Sequence, residues 1–561
     1  MHPIESRLPV LRRSLALVLL LAATSFAHAV SCTVIKDHPA SPAEEAYLRS
    51  NYDLAATLYQ EQLTAKPHDA NAIAALAQIF LKQQKVKEAE DLVQNALASD
   101  PKSVVLLTSL GEVQYRAGTP WLATQTAGDA MKIDPCYPQL RLLDARLARL
   151  NSLYAIAAKE VATAHALDPY DPQIRRLWLG SLPLKQRIAE MESYIASGSG
   201  EDSDALRSLH FYLDFLKSEL DTPHKACRLV SDTETATIPF TALMHDATHI
   251  HAFGLEVKLN NHNARLQIDT GASGLLISRS VAEHAGLIQS SRTELGGIGD
   301  KGERSGYTAF ADDIKIGSLE FKDCQVRVID QRSVIDVDGL IGMDVFSRFL
   351  VTLDYPMRKL VLAPLPKRPD DAAEVKPTLQ TASSPASEDE EDDTAAGTQT
   401  SDIKKAPAGP RDRYVAPEMK DWFRVYRIGH TLLLPASLNA AKQKMFILDT
   451  GAFSTTISPE VAREVTKVHP NDNITVKGIS GEVKKVYTAD EITFRFANIS
   501  QKVEDVVAFA SPQLNKNMGM DVGGLIGITA LGQLTVSIDY RDGLMKFSYD
   551  ANRGYKYPGM P

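Results

Sequence analysis

Two aspartates in this chain stand in matching surroundings. Ala264-Arg265-Leu266-Gln267-Ile268-Asp269-Thr270-Gly271-Ala272-Ser273 is echoed by Lys444-Met445-Phe446-Ile447-Leu448-Asp449-Thr450-Gly451-Ala452-Phe453. In each copy an apolar run delivers a carboxylate to a loop, Gly271 or Gly451 lets the backbone turn sharply beside it, and Thr270 or Thr450 can hydrogen-bond across a two-fold axis. Two carboxyls brought together cannot both ionise, so such a pair offers one acid and one base to a single water. Other candidate groups carry less. His245, His249 and His251 lack a partner cluster of cysteines or carboxylates, so no metal site is expected. Asp300 reads as a solvated turn, Asp338 and Asp344 as loop and cap residues, and Tyr307 and Tyr487 as packing or cleft-lining side chains.

The elements around the two aspartates repeat in order. Thr248 to Leu259 alternates as a strand, and Asn260 to Asn263 reads as the turn that leads into the strand ending at Asp269. The apolar run Leu275-Leu276-Ile277 leaves the first loop, and Thr455-Thr456-Ile457-Ser458 the second. Val281-Ala282, Tyr307-Thr308-Ala309, Gly339-Leu340-Ile341-Gly342 and Asp354-Tyr355 recur as Val461-Ala462, Tyr487-Thr488-Ala489, Gly524-Leu525-Ile526-Gly527 and Asp539-Tyr540. Thr529 stands where the first copy has Asp344, and is read as a helix cap.

This set resembles the retropepsin-like aspartic peptidases, whose small β-barrel lobes work in pairs. The resemblance implies Asp269 and Asp449 as catalytic groups and Thr270, Gly271, Thr450 and Gly451 as loop supports. It also implies substrate-covering flaps at Gly297, Ile298 and Gly299 and at Gly478, Ile479 and Ser480. The flap with Lys484 and Lys485 has fewer glycines than the other. The Leu-Ile-Gly segments should thread under the catalytic loops, followed in the first lobe by a short helix from Asp344 to Phe349, and Leu350 to Asp354 and Lys359 to Leu362 should close that lobe. The implied activity is endopeptidase hydrolysis of a polypeptide at acidic to mildly acidic pH, with no cofactor or metal. Pairing of the lobes within one chain, pairing between chains, and a peptide-binding protein that does not cut all remain open from the residues.

Ahead of the lobes the period is helical. Pro67, Pro101, Pro135 and Pro169 fall at the tetratricopeptide spacing of 34 residues. Small residues recur at Ala55, Ala89, Ala123 and Ala157 and at Ala43, Ala77, Gly111 and Ala145, where the helices of a hairpin cross closely. The resemblance to tetratricopeptide repeats covers roughly 35 to 175, Gln173 to Arg228 is expected to cap the solenoid, and the resemblance implies a protein or peptide partner for the arm.

The whole chain of 561 residues is too long for one core. The expected division is a signal peptide at 1–31, a helical domain at 35–230, a first lobe at 236–364, a disordered acidic linker at 365–413 and a second lobe at 414–556. The fold class is thus multidomain: an all-α solenoid followed by two all-β acid-protease barrels. With 44% hydrophobic and 23% charged residues the bulk is globular. A net charge of -9 gives no reason to expect nucleic acid. Arg7, Arg12 and Arg13 before the apolar run Leu15 to Ala23 read as a secretion signal. Cleavage after Ala29, or a lipobox that would make Cys32 a lipid anchor, are both open. Cys136, Cys227 and Cys324 read as packed thiols outside any disulfide framework. No later run is long enough to span a membrane. The linker holds Glu388-Asp389-Glu390-Glu391-Asp392-Asp393 and about 50 residues in all, enough for a reach of roughly 40 Å.

Overall fold

The computed structural model describes residues 32–36, 40–196, 203–221, 227–244, 250–302, 304–329, 337–369, 371, 410–439 and 443–553. The expected signal peptide at 1–31, the acidic run within the linker, and His245 and His249 lie outside the described residues, as does the side chain of His251.

Four helical hairpins open the chain. They are Pro42–Leu48 with Tyr52–Ala65, Ala70–Lys82 with Val86–Ser99, Val104–Arg116 with Pro120–Ile133, and Pro138–Leu150 with Tyr154–Leu167. The repeated prolines sit in the turns between units. Two residues after Pro67, Pro101 and Pro169, the side chains of Asp69, Ser103 and Asp171 accept the first free amides of the next helix. The recurrent alanines are buried at the crossings, with Ala55, Ala89 and Ala123 wholly inaccessible. A Cβ at Gly111 would stand 2.6 Å from Leu143 Cδ2, which is why the smallest residue holds that position. Helices Pro172–Ser181, Leu184–Ala196 and Ser203–Asp221 follow and close over a core of their own around Leu179, Ile188, Met191, Leu213 and Leu216.

Each lobe then folds as a β-barrel of repeated order. In the first, Gly339–Gly342 pairs parallel with the strand His262–Asp269 and antiparallel with Leu275–Ser278, so the Leu-Ile-Gly segment runs between the strands that enter and leave the Asp-Thr-Gly loop. In the second, Gly524–Ile526 lies in the same way between Gln443–Leu448 and Thr456–Ile457. Both barrels share one continuous apolar core.

That sharing is built by a six-stranded sheet to which each lobe gives three strands. Its order is Phe423–Arg424, Leu544–Tyr549, Leu534–Asp539, Phe349–Asp354, Lys359–Pro364 and Ala236–Pro239. Val351 faces Ile538 and Leu353 faces Val536, so the two central strands pair antiparallel, and between them the Thr352 and Ser537 hydroxyls lie 2.9 Å apart. Strands expected to close the first lobe instead join it to the second, and the lobes of one chain pair with each other. The Asp344 to Phe349 helix is only a single 3₁₀ turn, Met343–Phe346.

Several expectations are corrected. Cys32 pairs with Cys136 and Cys227 with Cys324, leaving no free cysteine among the described residues. Sequence separations of 104 and 97 residues hid the pairing, because only folding brings the cysteines together. A sulphur held in a disulfide cannot also carry a thioether lipid, so the structure speaks against the anchor at Cys32.

The linker is held firmly at both described ends. The Arg368 guanidinium pairs with the wholly buried Asp542, which also accepts the amide of Tyr414 at 2.8 Å. Arg411 reaches Asp371 at 2.7 Å, and Arg541 donates to the Pro366 carbonyl at 2.8 Å. Asp412 caps the helix Tyr154–Leu167 by accepting from Ala155 and Ile156.

The arm is likewise not a free appendage. Leu140, Leu143 and Leu147 share an apolar cluster with Leu433, Met445, Met520 and Leu525 of the second lobe. Asp521 donates its amide to the Arg116 carbonyl at 2.7 Å. A tether's composition and a solenoid's period describe each segment alone, so neither contact was legible from them.

Candidate active site

Strand pairing in the two barrels brings the two Asp-Thr-Gly loops face to face. Asp269 Oδ1 accepts from the amides of Gly271 at 2.7 Å and Ala272 at 3.1 Å, and Asp449 Oδ1 accepts from Gly451 at 2.9 Å and Ala452 at 3.1 Å. The two loops interlock, and a Cβ on Gly271 would stand 3.2 Å from Asp449 Cγ. A Cβ on Gly451 would stand 2.5 Å from Asp269 Cγ, so only glycine lets the second loop come this close.

Below the carboxyls the threonines are buried and reciprocal. Thr270 donates its amide to Thr450 Oγ1, and Thr450 returns the same bond to Thr270 Oγ1, both at 3.0 Å. The hydroxyls go on to the Leu448 and Ile268 carbonyls at 2.7 and 3.2 Å. Four hydrogen bonds thus hold the floor of the site across the lobe boundary.

Burial raises the pKa of both aspartates, and for Asp269 the neighbouring charge of Asp449 raises it further, well above the usual carboxylate range. Backbone amides on each carboxyl work the other way. Two carboxyls this close and this buried hold one proton between them in place of two charges.

The predicted flap residues meet over this floor. Ser480 accepts the Gly297 amide on its hydroxyl at 3.1 Å, donates its own amide to the Ile298 carbonyl at 3.0 Å, and accepts from Lys301 at 2.9 Å. Gly299 lies in the first flap between these contacts, and Gly478 and Ile479 lead into Ser480 in the second. Asp300 is not a bare solvated turn: its carboxylate accepts the Lys484 amide at 2.7 Å and its amide reaches Glu482 at 3.3 Å. The second flap is the shorter hairpin, Lys477–Gly478 with Gly481–Glu482, and it closes against the longer first one.

Asp344 is not a helix cap. It accepts from Ser273 Oγ at 2.7 Å and the Gly274 amide at 2.9 Å, bracing the first catalytic loop from beneath. Thr529 does the same for the second, accepting the Thr455 amide at 3.0 Å. Asp338 accepts the Arg265 amide at 2.8 Å, a loop role. Tyr307 is buried in the core, and Tyr487 packs against it under the Arg463 guanidinium.

Two side chains at the loops were not singled out from the sequence. His430 Nε2 lies 3.0 Å from the Gly271 carbonyl, and Gln267 Nε2 donates to the Gly451 carbonyl at 2.9 Å. Gln267 left a faint signal: an amide flanked by Leu266 and Ile268 in a buried strand, where the second copy has Ile447. Among the described residues no group of three or more histidine, cysteine or acidic side chains could hold a metal ion.

Fold and floor together define a two-lobed acid-protease site preceded by a helical-repeat arm. The aspartyl protease family model matches residues 255–345 and 434–530, and a tetratricopeptide repeat model matches 46–110. The two lobes thus match the aspartyl protease family, and the arm matches the tetratricopeptide repeats. A DNA damage-inducible protein 1 of Neurospora crassa is 28% identical over 147 residues, which cover 23% of this chain and 32% of that protein. Its counterpart in Chaetomium globosum is 27% identical over 146 residues, or 23% and 31%. The match thus spans about a third of the length of these relatives. A thermophilic tetratricopeptide protein of Thermus thermophilus is similar at 23% identity over 31% of this chain and 95% of that one, with a TM-score of 0.25.

Proposed function

We propose that this protein is an exported aspartic endopeptidase in which Asp269 and Asp449 activate one water against a peptide bond of a polypeptide substrate. The observation that carries this reading is the close meeting of the two carboxyls, where a Cβ on either loop glycine would stand 2.5 to 3.2 Å from the opposite aspartate's Cγ, with burial raising both pKa values. In the proposed cycle the ionised member of the pair takes a proton from the water as its oxygen attacks the carbonyl carbon. The protonated member gives its proton to the carbonyl oxygen, producing a tetrahedral diol. Collapse of the diol breaks the C–N bond: the aspartate that took the water proton gives it to the leaving nitrogen, and a diol hydroxyl returns its proton to the other aspartate as the carbonyl re-forms, restoring the singly protonated pair. The chemistry needs no metal or cofactor.

The flaps form a roof that must part for a polypeptide and then exclude water around it. Two disulfides support an oxidising compartment, consistent with export. The arm, fixed to the second lobe beside the cleft, is proposed to hold a protein or peptide partner on the surfaces that the lobe leaves uncovered.

The test is cleavage of unfolded protein and peptide libraries by the purified chain from about pH 3 to 7. Asp269→Asn and Asp449→Asn should each abolish cleavage, and mixing the two variants should not restore it. An inactive parent across that range would leave a peptide-binding protein; recovery on mixing would mean that lobes of different chains make the site.

A further inference from the structure

The two catalytic loops look alike from within but are held differently from outside. Each Oδ1 accepts two amides, and the farther of these, on Ala272 or Ala452, belongs to the peptide group whose carbonyl is that of Gly271 or Gly451. A donor placed on such a carbonyl polarises the peptide and strengthens what its N–H gives to the aspartate. Both carbonyls receive one from the opposite lobe. His430, in the turn between Tyr426–Ile428 and Thr431–Leu438, reaches Gly271, and Gln267, in the strand that ends at Asp269, reaches Gly451. A carbonyl only accepts, so Nε2 of His430 must carry hydrogen; Thr431 Oγ1 lies farther off, at 3.4 Å.

We infer that His430 and Gln267 are positioning residues which act through the Gly271–Ala272 and Gly451–Ala452 peptides to set which aspartate of the pair keeps the shared proton. His430 favours the ionised form of Asp269, and Gln267 favours the ionised form of Asp449. The donors are chemically unlike, an imidazole on one side and a carboxamide on the other. The second lobe cannot return the carboxamide, since the buried Ile447 stands 180 residues on from Gln267. A site built by duplication thereby receives unequal halves, as an acid and a base require. The titratable groups facing Asp269 are Asp449 and, from the turn that follows the strand Leu534–Asp539, the Tyr540 phenol, with His430 on the Gly271 carbonyl.

The inference builds on the proposed dyad but does not need turnover to be tested. In the full chain labelled with ¹³C at aspartate carboxyls, the Asp269 and Asp449 signals are assigned with the two Asn variants and followed through acid titration. His430→Leu should move the proton toward Asp269, shifting its signal to the protonated side and that of Asp449 to the ionised side. Gln267→Leu should do the reverse, and His430→Gln should restore the parental pattern. Where the parent cleaves peptide, His430→Leu should lower kcat several-fold with KM little changed. Shifts in the same direction for both Leu variants, or none in a chain that melts normally, would overturn the inference. Opposite shifts in a chain that cuts nothing would leave it standing and sink the peptidase reading instead.

Discussion

Thr270 and Thr450 exchange backbone amide for side-chain hydroxyl in both directions across the lobe boundary, each at 3.0 Å. Both side chains are almost wholly inaccessible, at 1% and 2% exposure. The exchange orients the two Asp-Thr-Gly loops against each other, and each hydroxyl both accepts an amide and donates to a carbonyl of the other lobe. Thr270→Val keeps the volume but leaves the Thr450 amide and the Leu448 carbonyl without their partner. The expected cost is roughly 2–4 kcal/mol, read from the midpoint of urea unfolding, with cleavage falling in step. Thr270→Ser keeps the hydroxyl and should lose far less.

The aspartate pair sets activity against stability. A carboxyl whose pKa is raised in the folded state binds a proton there that the unfolded chain has already released. It therefore adds nothing unfavourable below the unfolded value, and subtracts from stability as pH rises through the folded one. Asp269→Asn removes this burden. We expect cleavage to drop by at least about 10³-fold, while the melting temperature at pH 7 rises by about 2–4 °C. Below about pH 4 the gain should vanish. A gain that persists undiminished at acid pH would contradict the sign of the shift.

Gly118 locks the arm to the second lobe. Its φ of 69° is left-handed, and a Cβ there would lie 2.1 Å from the Asp521 carbonyl oxygen. Gly118→Ala should therefore cost about 1–3 kcal/mol and loosen the contact between Arg116 and Asp521. Hydrogen exchange at the Asp521 amide, which donates to Arg116, should accelerate, while exchange at the Thr270 amide stays slow.

Asp542 gathers both described ends of the linker. Removing its carboxylate in Asp542→Ala strands the buried Arg368 guanidinium and should destabilise the chain by roughly 3–5 kcal/mol. Replacing residues 373–408 by about six Gly/Ser residues should leave the unfolding midpoint and any cleavage nearly unchanged, since Asp371 and Arg411 already meet. A dimer on size exclusion after that deletion would mean that the longer segment is needed to keep the lobes paired within one chain.

Local patterns carried much of this molecule. The spacing of Pro67, Pro101, Pro135 and Pro169 marks the solenoid because a helical hairpin has a fixed length and needs a break and a cap at each return. The doubled Asp-Thr-Gly and Leu-Ile-Gly segments mark the barrels because a sharp loop over a threaded strand tolerates few residue types. Asp344 was visible as a residue but not as a brace, since its partners Ser273 and Gly274 lie some 70 positions away.

What sequence could not decide were relationships between distant segments. Whether Asp269 and Asp449 share one site depends on the Phe349–Asp354 strand choosing Leu534–Asp539 as its neighbour, and strand ends carry no address for a particular partner. The disulfides, the Asp542 clamp and the docked arm follow the same rule. Residue types and spacing determined the chemistry available to this chain; the closing of one lobe on the other decided which carboxylates meet, and how unequally they are held.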